Sequence, residues 1–150
     1  MLPKSLFEPQ AIADLENRLD KLTAATSPQW GKMNAPQMLN HCSSQIEIIL
    51  GDKTLKSNFL FRLLGKWIKR NILAGKPTKK NSPTAKELLP VNVMDFEKEK
   101  AKIMQLMHRV KEAESSLEGK DHPFFGKMTA EEYGKVTWNH LDYHFGQFGI

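Results

Sequence analysis

The chain has 150 residues, a formal net charge of +5 at pH 7 and a single cysteine, Cys42. A chain of this length most simply forms one domain over residues 1–150, and it can bury enough surface to need no disulfide framework. One thiol is typical of a reducing compartment, residues 1–8 contain no apolar run typical of a secretory signal, and no segment reaches transmembrane length. We therefore expect a soluble, cytoplasmic protein.

The positive charge is concentrated in one segment. Between Lys53 and Lys86 there are ten Lys or Arg residues and no Asp or Glu, whereas the rest of the chain holds 12 basic and 17 acidic residues. A uniformly basic nucleic-acid-binding protein would not show this distribution, and no specific nucleic-acid signature is present. A local contact of the segment with a polyanion or a membrane surface stays open.

Two helices are predicted in the first third of the chain. Apolar side chains recur at helical spacing over residues 9–22, which indicates an amphipathic first helix: Ile12, Leu15, Leu19 and Leu22. Asn34 is a predicted N-cap, and Pro36 in the first turn loses no hydrogen bond there. The second helix is predicted to run from there to about Leu50, with Gly51 as the residue that ends it.

A long basic crossover over residues 53–94 follows, and it contains an extra short helix over residues 59–73. One side of this helix is apolar and the other is basic: Leu60, Leu63, Leu64, Trp67, Ile68 and Ile72 against Arg62, Lys66, Lys69 and Arg70. The simplest interpretation packs the apolar side on the protein and leaves a solvated basic face. The alternative is a segment that binds an acidic partner or a membrane surface.

The third main helix is predicted from Asp95, its N-cap, to about Leu117. Its apolar residues recur with a seven-residue period that is typical of helical bundles: Phe96, Ile103, Leu106, Val110, Ala113 and Leu117. Residues 122–126 then form a tight apolar connection. Because no convincing strand pattern is present, the sequence predicts an all-α bundle of four main helices.

The fourth main helix begins at a capping box formed by Thr129 and Glu132 and is predicted over residues 130–148. Rotation of 100° per residue places its two histidines, His140 and His144, on one inward face. That face also holds Tyr133, Thr137, Leu141 and Phe148. Two inward imidazoles one turn apart either bond to each other and their neighbours or hold a guest, most commonly a transition metal.

A third candidate ligand is His41, which lies on the flank of the apolar arc of the second helix. Gln37 and Gln45 share that flank and could orient the imidazole or a bound water. Three neutral imidazoles suit zinc, nickel, copper or iron and leave at least one coordination position open. The zinc-protease pattern is absent, because Leu141 and not glutamate follows His140. Histidines of the core or its boundary, bonded to neighbouring side chains, are the alternative interpretation.

Other reactive residues are assigned structural or solvent-exposed roles. We expect His122 to shape a turn, His108 to be exposed and Cys42 to be a buried, inert thiol. Asp142 points away from His140 on the helical wheel. No carboxylate is evidently placed as a general base, which weakens a hydrolase interpretation.

Several motifs together resemble an uncharacterised branch of the DinB-like superfamily. They lie at residues 30–42, 122–132 and 140–149, with shorter matches at 75–77 and 83–85, so the resemblance covers nearly all of the chain from Trp30 onward. It implies an up-down-down-up four-helix bundle with a divalent-metal site, zinc or nickel first among the candidates, made by His41, His140 and His144.

Some relatives in that superfamily are thiol-dependent transferases or isomerases, and many have no assigned reaction. The sequence hypothesis is therefore a divalent-metal-binding protein, with metal-dependent hydrolysis or thiol-dependent transfer on an unknown small molecule as candidate reactions. Whether the protein is an enzyme stays open, and a homodimer is a further option. The competing hypothesis is a metal-free helical interaction module that uses the basic amphipathic segment to bind an acidic partner or a membrane surface.

Overall fold

A computed structural model describes residues 4–150, and most of this part of the chain is helical. Residues 1–3, which belong to the stretch in which no secretory signal is predicted, lie outside the described residues. The helices have the following bounds: α1 Ala11–Leu19, α2 Ala35–Leu50, α3 Phe59–Leu73, α4 Phe96–Glu112 and α5 Ala130–Gln147. Within residues 4–150, no helix is both long enough and apolar enough to cross a membrane.

The predicted capping residues begin and end the helices that carry the histidines. Asn34 Oδ1 accepts a hydrogen bond from the Gln37 amide at 3.0 Å, and Gln37 Oε1 accepts one from the Asn34 amide at 3.0 Å. Gly51 ends α2 in the left-handed conformation with φ +84°. Thr129 and Glu132 form the corresponding capping box of α5. The start of both helices is therefore set by local side-chain chemistry.

The hydrophobic core lies between α1, α2, α4 and α5. Most of the apolar residues on the inward sides of these four helices are buried in it, among them Ile12, Leu15, Leu19, Met38, Leu39, Ile46, Ile103, Leu106, Val110, Tyr133 and Leu141. Burying a side chain of this size stabilises the fold by roughly 1.5–3 kcal/mol. This packing fixes which faces of α2 and α5 meet, and those faces carry the three histidines.

The end of the third main helix differs from its predicted position. The α-helix α4 ends at Glu112, and a 3-10 helix over Glu114–Leu117 replaces its predicted last turn. Ser116 Oγ donates to the Ala113 carbonyl at 2.7 Å, so its hydroxyl competes for a backbone acceptor of the last turn. Leu117 is buried all the same, at 1% exposed.

The predicted connection over residues 122–126 contains a small antiparallel hairpin, the one strand pair that residues 4–150 add to the predicted helices. Strand β1 is Asp121–His122 and strand β2 is Gly126–Lys127, with Asp121 opposite Lys127 and His122 opposite Gly126. Gly126 has φ +78°, a conformation that favours glycine and lets the chain reverse within a few residues. Two residues per strand give no alternating pattern that a sequence can reveal.

The helix α3 has the predicted bounds, but most of its predicted apolar side faces solvent, and only Ile68 and Ile72 of that side are partly buried. Its large apolar side chains face solvent, with Phe59 77% and Trp67 53% exposed, together with Leu60, Leu63 and Leu64. On its inner side Arg62 makes a bidentate ion pair with Asp121, at 2.7 and 3.1 Å, in the hairpin. The prediction of a packed apolar side and a solvated basic face is therefore wrong for these residues.

A glycine explains why this side of α3 faces inward. Gly65 is buried in the middle of the helix, and a Cβ atom there would lie 1.9 Å from the Phe124 carbonyl oxygen of the hairpin. Only a residue without a side chain allows this close approach. Phe61 stacks on Phe124 with ring centroids 4.4 Å apart, and Lys69 donates to the Lys127 carbonyl at 3.2 Å. The inner face thus combines one small, one aromatic and two basic residues.

Candidate metal centre

The three predicted ligands come together in the folded chain. His41 lies on α2, and His140 and His144 lie one turn apart on α5. One nitrogen from each ring can be chosen so that all three lie within 4.8 Å of one another, and His41 Nε2 is 3.1 Å from His140 Nε2. His41 and His144 are buried, at 1% and 7% exposed, while His140 is partly exposed. The cluster therefore lies at the edge of the core with one ring towards solvent.

The ring of His41 is held by a backbone carbonyl of the crossover. Its Nδ1 donates to the Leu88 carbonyl oxygen at 2.8 Å, in the short 3-10 helix Lys86–Leu88. Because a carbonyl can only accept, the proton of the neutral ring is assigned to Nδ1. The Nε2 lone pair of His41 is then free and faces the other two histidines, as a metal ligand requires.

The ring of His144 is held by a relay of two hydrogen bonds. Gln147 Nε2 donates to the Trp30 carbonyl at 2.7 Å, which fixes the direction of the amide, and Gln147 Oε1 lies 2.9 Å from His144 Nδ1. The amide oxygen can only accept, so His144 carries its proton on Nδ1 and presents a free Nε2.

Gly31 makes room for this relay. It has φ +88°, and a Cβ atom at this position would lie 2.3 Å from Gln147 Nε2. A side chain here would have to displace the Gln147 amide, and the left-handed backbone conformation adds a strain that glycine avoids. The chain segment that precedes α2 therefore approaches the end of α5 closely enough for the Trp30 carbonyl to accept from Gln147.

Burial keeps the three imidazoles neutral. Desolvation is the largest cause in each case: it lowers the pKa of His41, lowers that of His144 to about 4 and lowers that of His140 well below its ordinary value. Unfavourable interactions between the rings lower the pKa of His140 and His144 further. All three rings are therefore in the neutral form that binds metals at pH 7.

The donor set consists of imidazole nitrogen alone. Within residues 4–150, no Asp, Glu or Cys joins the cluster of His41, His140 and His144. The single thiol of the chain, that of Cys42, is completely buried, and its Sγ contacts Met38 Sδ at 3.8 Å. Three imidazoles suit zinc, nickel, copper or iron and leave room for a further ligand, so the cluster could hold such an ion.

Part of the crossover covers this region of the molecule through polar contacts with α5. Thr78 Oγ1 donates to Asn139 Oδ1 at 3.2 Å, and the Tyr143 hydroxyl donates to the Lys79 carbonyl at 3.3 Å. The Tyr143 ring in turn packs edge-on against His144, with centroids 5.0 Å apart. The crossover therefore bounds the histidine cluster on the side that the main helices leave open.

The other residues singled out in the sequence have the roles expected of them, with the exceptions of Gln37 and Gln45. His108 is exposed and bonds to Glu16 Oε1 at 2.8 Å, and Asp142 pairs with Arg18 at 2.7 Å on the surface. Cys42 is buried, which raises the pKa of its thiol and makes it a poor nucleophile. The prediction that these two residues orient His41 is wrong. The side chain of Gln37 caps α2, and the ring nitrogens of His41 contact the Leu88 carbonyl and His140 instead of Gln45.

His122 shapes the turn of the hairpin, as predicted. Its Nδ1 accepts hydrogen bonds from the Phe124 and Phe125 amides at 3.0 and 3.2 Å, so the ring proton is on Nε2. His122 is 2% exposed, and burial lowers its pKa to about 4. It is therefore a buried, neutral turn residue apart from the three-histidine cluster.

Sequence reasoning missed the residues that orient the ligands. Gln147 lies three residues after His144 on the same helix, and this spacing was a usable signal because residues at i and i+3 are neighbours. The carbonyls of Leu88 and Trp30 gave no such signal, since a backbone acceptor in an irregular segment does not depend on the residue type. The three histidines of the cluster could be predicted, but most of the groups that orient them could not.

The comparison with known proteins gives a family without an assigned activity. No curated protein sequence and no solved structure matches the chain at the significance applied. A family described as proteins of unknown function, DUF1569, matches residues 6–149, which include all three histidines and the residues that orient them. The chain is a member of the DUF1569 family.

Proposed function

We propose that this chain is a metalloprotein that holds a divalent transition metal between His41, His140 and His144. The observation that carries the proposal is the pair of hydrogen bonds from Nδ1 of His41 to Leu88 and from Nδ1 of His144 to Gln147. Both leave the Nε2 lone pair unprotonated in a buried cluster where His41 Nε2 is 3.1 Å from His140 Nε2. Such supports are the usual companions of histidine ligands.

The proposal extends to the fold and the superfamily. We propose that residues 1–150 form one DinB-like domain in which α1, α2, α4 and α5 make an up-down-down-up bundle, with the crossover 53–94 and its helix α3 added to it. The packing of α2 against α4 and α5, and of α1 against α4 and α5, supports this arrangement. Metal sites in such bundles are built from inward side chains on different helices, as here on α2 and α5.

Zinc or nickel is the ion that we propose for this site. Both accept neutral imidazole nitrogen, and no carboxylate or thiolate joins the cluster within residues 4–150 to favour a harder or softer ion. An ion held by three imidazoles keeps at least one coordination position open and lowers the pKa of a water or thiol placed there. The chain itself supplies the neutral donors, their orientation and the buried surroundings.

We further propose that the protein is an enzyme acting on a small molecule, and that thiol-dependent transfer fits its residues better than hydrolysis. Activation of water is helped by a general base, and no Asp or Glu of residues 4–150 joins the cluster. Asp142, the acidic residue closest in sequence to His140, is committed to Arg18 at 2.7 Å. A thiol cosubstrate loses its proton more readily than water does, so it makes less demand on a base.

Elemental analysis of protein purified without chelators tests the metal proposal. We expect about one zinc or nickel ion per chain, bound at purification or taken up on titration, and loss of binding in His140→Ala and His144→Ala. The matched control is His108→Ala, which removes an exposed imidazole outside the cluster and should bind as the unaltered chain does. Absence of metal uptake in the unaltered chain, or equal uptake in His144→Ala, would contradict the proposal.

A cobalt-loaded sample separates the two reaction classes. Cobalt(II) accepts the same imidazole donors, and binding of a thiolate to it adds a sulfur-to-metal charge-transfer absorption. We expect this absorption to appear when a small thiol is added to the unaltered chain, and to be missing in His144→Ala. A cobalt spectrum that the thiol leaves unchanged would count against thiol-dependent transfer and leave the metal proposal intact.

A further inference from the structure

The outer face of α3 is a continuous apolar surface in contact with solvent. We call it the α3 apolar face, and it is formed by side chains that are between 48% and 77% exposed: Phe59, Leu60, Leu63, Leu64 and Trp67. These residues follow one another at helical spacing, so they share one side of the helix. Large apolar side chains scattered singly on a surface are ordinary, but five on one exposed helical face mark an interaction site.

The inner face of α3 holds this surface outward. Gly65 packs against the Phe124 carbonyl, and Arg62 makes its bidentate ion pair with Asp121 and a third hydrogen bond to the His122 carbonyl at 3.3 Å. Lys69 bonds to the Lys127 carbonyl. Turning the apolar residues inward would break these contacts and leave Arg62 and Lys69 without their partners.

Two exposed basic side chains of α3 itself, Lys66 and Arg70, lie beside the α3 apolar face. The segment between Lys53 and Lys86 has no acidic residue, and several of its basic residues are exposed. None of the following takes part in an ion pair within residues 4–150: Lys56, Lys66, Arg70, Lys76, Lys79 and Lys86. The surface therefore combines an apolar strip that contains Trp67 with two exposed basic residues of the same helix, Lys66 and Arg70.

We propose that the α3 apolar face binds the surface of an anionic lipid bilayer, with the helix lying in the plane of the interface. A helix with Trp, Phe and Leu on one face and Lys or Arg beside them has the composition of an interfacial helix. The apolar side chains enter the boundary of the acyl chains, and the basic residues contact the anionic headgroups. Each basic residue near such a surface contributes about 1 kcal/mol, which is about a fivefold change in affinity.

The charge around the face argues against a second copy of the chain as its occupant. A two-fold symmetric pairing would place the same basic residues, among them Lys66 and Arg70, on both sides of one interface. Like charges facing each other across an interface oppose association. An anionic bilayer supplies the opposite charge and the apolar phase together, so it satisfies both parts of the surface.

Sedimentation with lipid vesicles tests the proposal on the full-length chain. We expect binding to vesicles that contain phosphatidylglycerol, weaker binding at high salt and little binding to pure phosphatidylcholine. The double variant Leu63→Gln/Trp67→Gln should bind roughly tenfold less or weaker still, because two exposed apolar side chains no longer enter the bilayer. Arg70→Gln should weaken binding to the anionic vesicles by up to about fivefold.

The matched control is Val91→Gln/Val93→Gln, which changes two exposed apolar residues outside α3 and should bind as the unaltered chain does. Far-ultraviolet circular dichroism and the thermal midpoint check that the Leu63/Trp67 variant is folded. The proposal is overturned if anionic vesicles bind no protein at low salt, or if the folded Leu63/Trp67 variant binds as well as the control. It is also overturned if light scattering shows a dimer that this variant abolishes.

Addition of a chelator distinguishes this proposal from the metal proposal. The contacts that hold α3 in place involve Arg62, Gly65 and Lys69, and none of them reaches the three histidines. We therefore expect vesicle binding to survive metal removal. Vesicle binding that requires the metal would contradict an independent lipid-binding face.

Discussion

His41 Nε2 and His140 Nε2 lie 3.1 Å apart, so the two nitrogens share one proton or one common ligand. The proton of the neutral His41 ring is on Nδ1, where it is donated to the Leu88 carbonyl. The hydrogen bond between the two Nε2 atoms is therefore donated by Nε2–H of His140. Two ligand nitrogens at 2.0–2.1 Å in a tetrahedral site are about 3.3 Å apart, close to the observed separation. For His140 to present its Nε2 lone pair, its proton moves to Nδ1 of this partly exposed ring.

The relay through Gln147 predicts a loss of metal affinity without loss of a ligand. In Gln147→Leu, His144 loses the acceptor that fixes its tautomer, and the Trp30 carbonyl loses its donor. We expect the affinity for zinc to fall by about 10–100-fold, the usual cost of removing such a support. Competition titration with a fluorescent zinc chelator measures this change.

The control for Gln147→Leu is Asp142→Asn on the same helix. Asp142 is exposed, pairs with Arg18 and does not belong to the histidine cluster, so its variant should bind zinc with unchanged affinity. A Gln147→Leu protein that is folded and binds zinc as tightly as Asp142→Asn would show that the relay does not orient His144.

The close approach at Gly65 predicts opposite effects for two glycine-to-alanine changes. In Gly65→Ala the new Cβ atom would lie 1.9 Å from the Phe124 carbonyl, so α3 must move away from the hairpin. We expect the free energy of unfolding to fall by about 1–3 kcal/mol, as in other overpacked sites. In Gly146→Ala the Cβ atom meets nothing within 4 Å, and we expect a gain of up to about 1 kcal/mol.

Urea denaturation measures both glycine variants under the same conditions. Equal or higher stability of Gly65→Ala relative to the unaltered chain would contradict the packing of α3 on the hairpin. The same result would weaken the account of why the α3 apolar face is turned to solvent.

His122 predicts a specific loss of stability in acid. Its pKa is about 4 in the folded chain against 6.5 for an ordinary histidine, so the unfolded chain binds more protons between these two pH values. The contribution of His122 to the free energy of unfolding is therefore complete above about pH 6.5 and is lost as the pH falls towards 4. This difference between the folded and unfolded pKa of His122 corresponds to a loss of about 3 kcal/mol of stability at pH 4.

His122→Asn isolates that contribution, because asparagine can still accept from the amides that follow it. We expect the free energy of unfolding of this variant to fall about 3 kcal/mol less than that of the unaltered chain between pH 7 and pH 4. The three clustered histidines contribute equally in both proteins, so they cancel in the comparison. Parallel pH profiles of the two proteins would contradict a neutral, buried His122.

The sequence was sufficient for the parts of the fold that depend on local patterns. The N-cap at Asn34, the capping box at Thr129 and the spacing of His140 and His144 are local properties, and the structure has each of them where it was predicted. That His41 meets the pair could be inferred because inward faces of helices share one core. These features need only the geometry of single helices.

The orientation of α3 depends on contacts between residues far apart in the chain, which local patterns do not contain. A helical wheel divides the helix into two faces, but which face packs depends on contacts with the hairpin, such as Gly65 against Phe124 and Arg62 with Asp121. Gly65 was a usable signal, since a glycine in the middle of an amphipathic helix indicates a close approach. The Leu88 carbonyl gave none, because its role depends only on where the crossover runs.

Anomalous diffraction from crystals grown with zinc, collected on both sides of the zinc absorption edge, tests the three-histidine site most directly. The account predicts one anomalous peak between His41, His140 and His144, about 2.0–2.1 Å from one nitrogen of each ring. It also predicts that the hydrogen bonds from His41 to Leu88 and from His144 to Gln147 persist. Crystals grown with zinc that show no peak at this position, or a zinc peak only elsewhere, would contradict the three-histidine site.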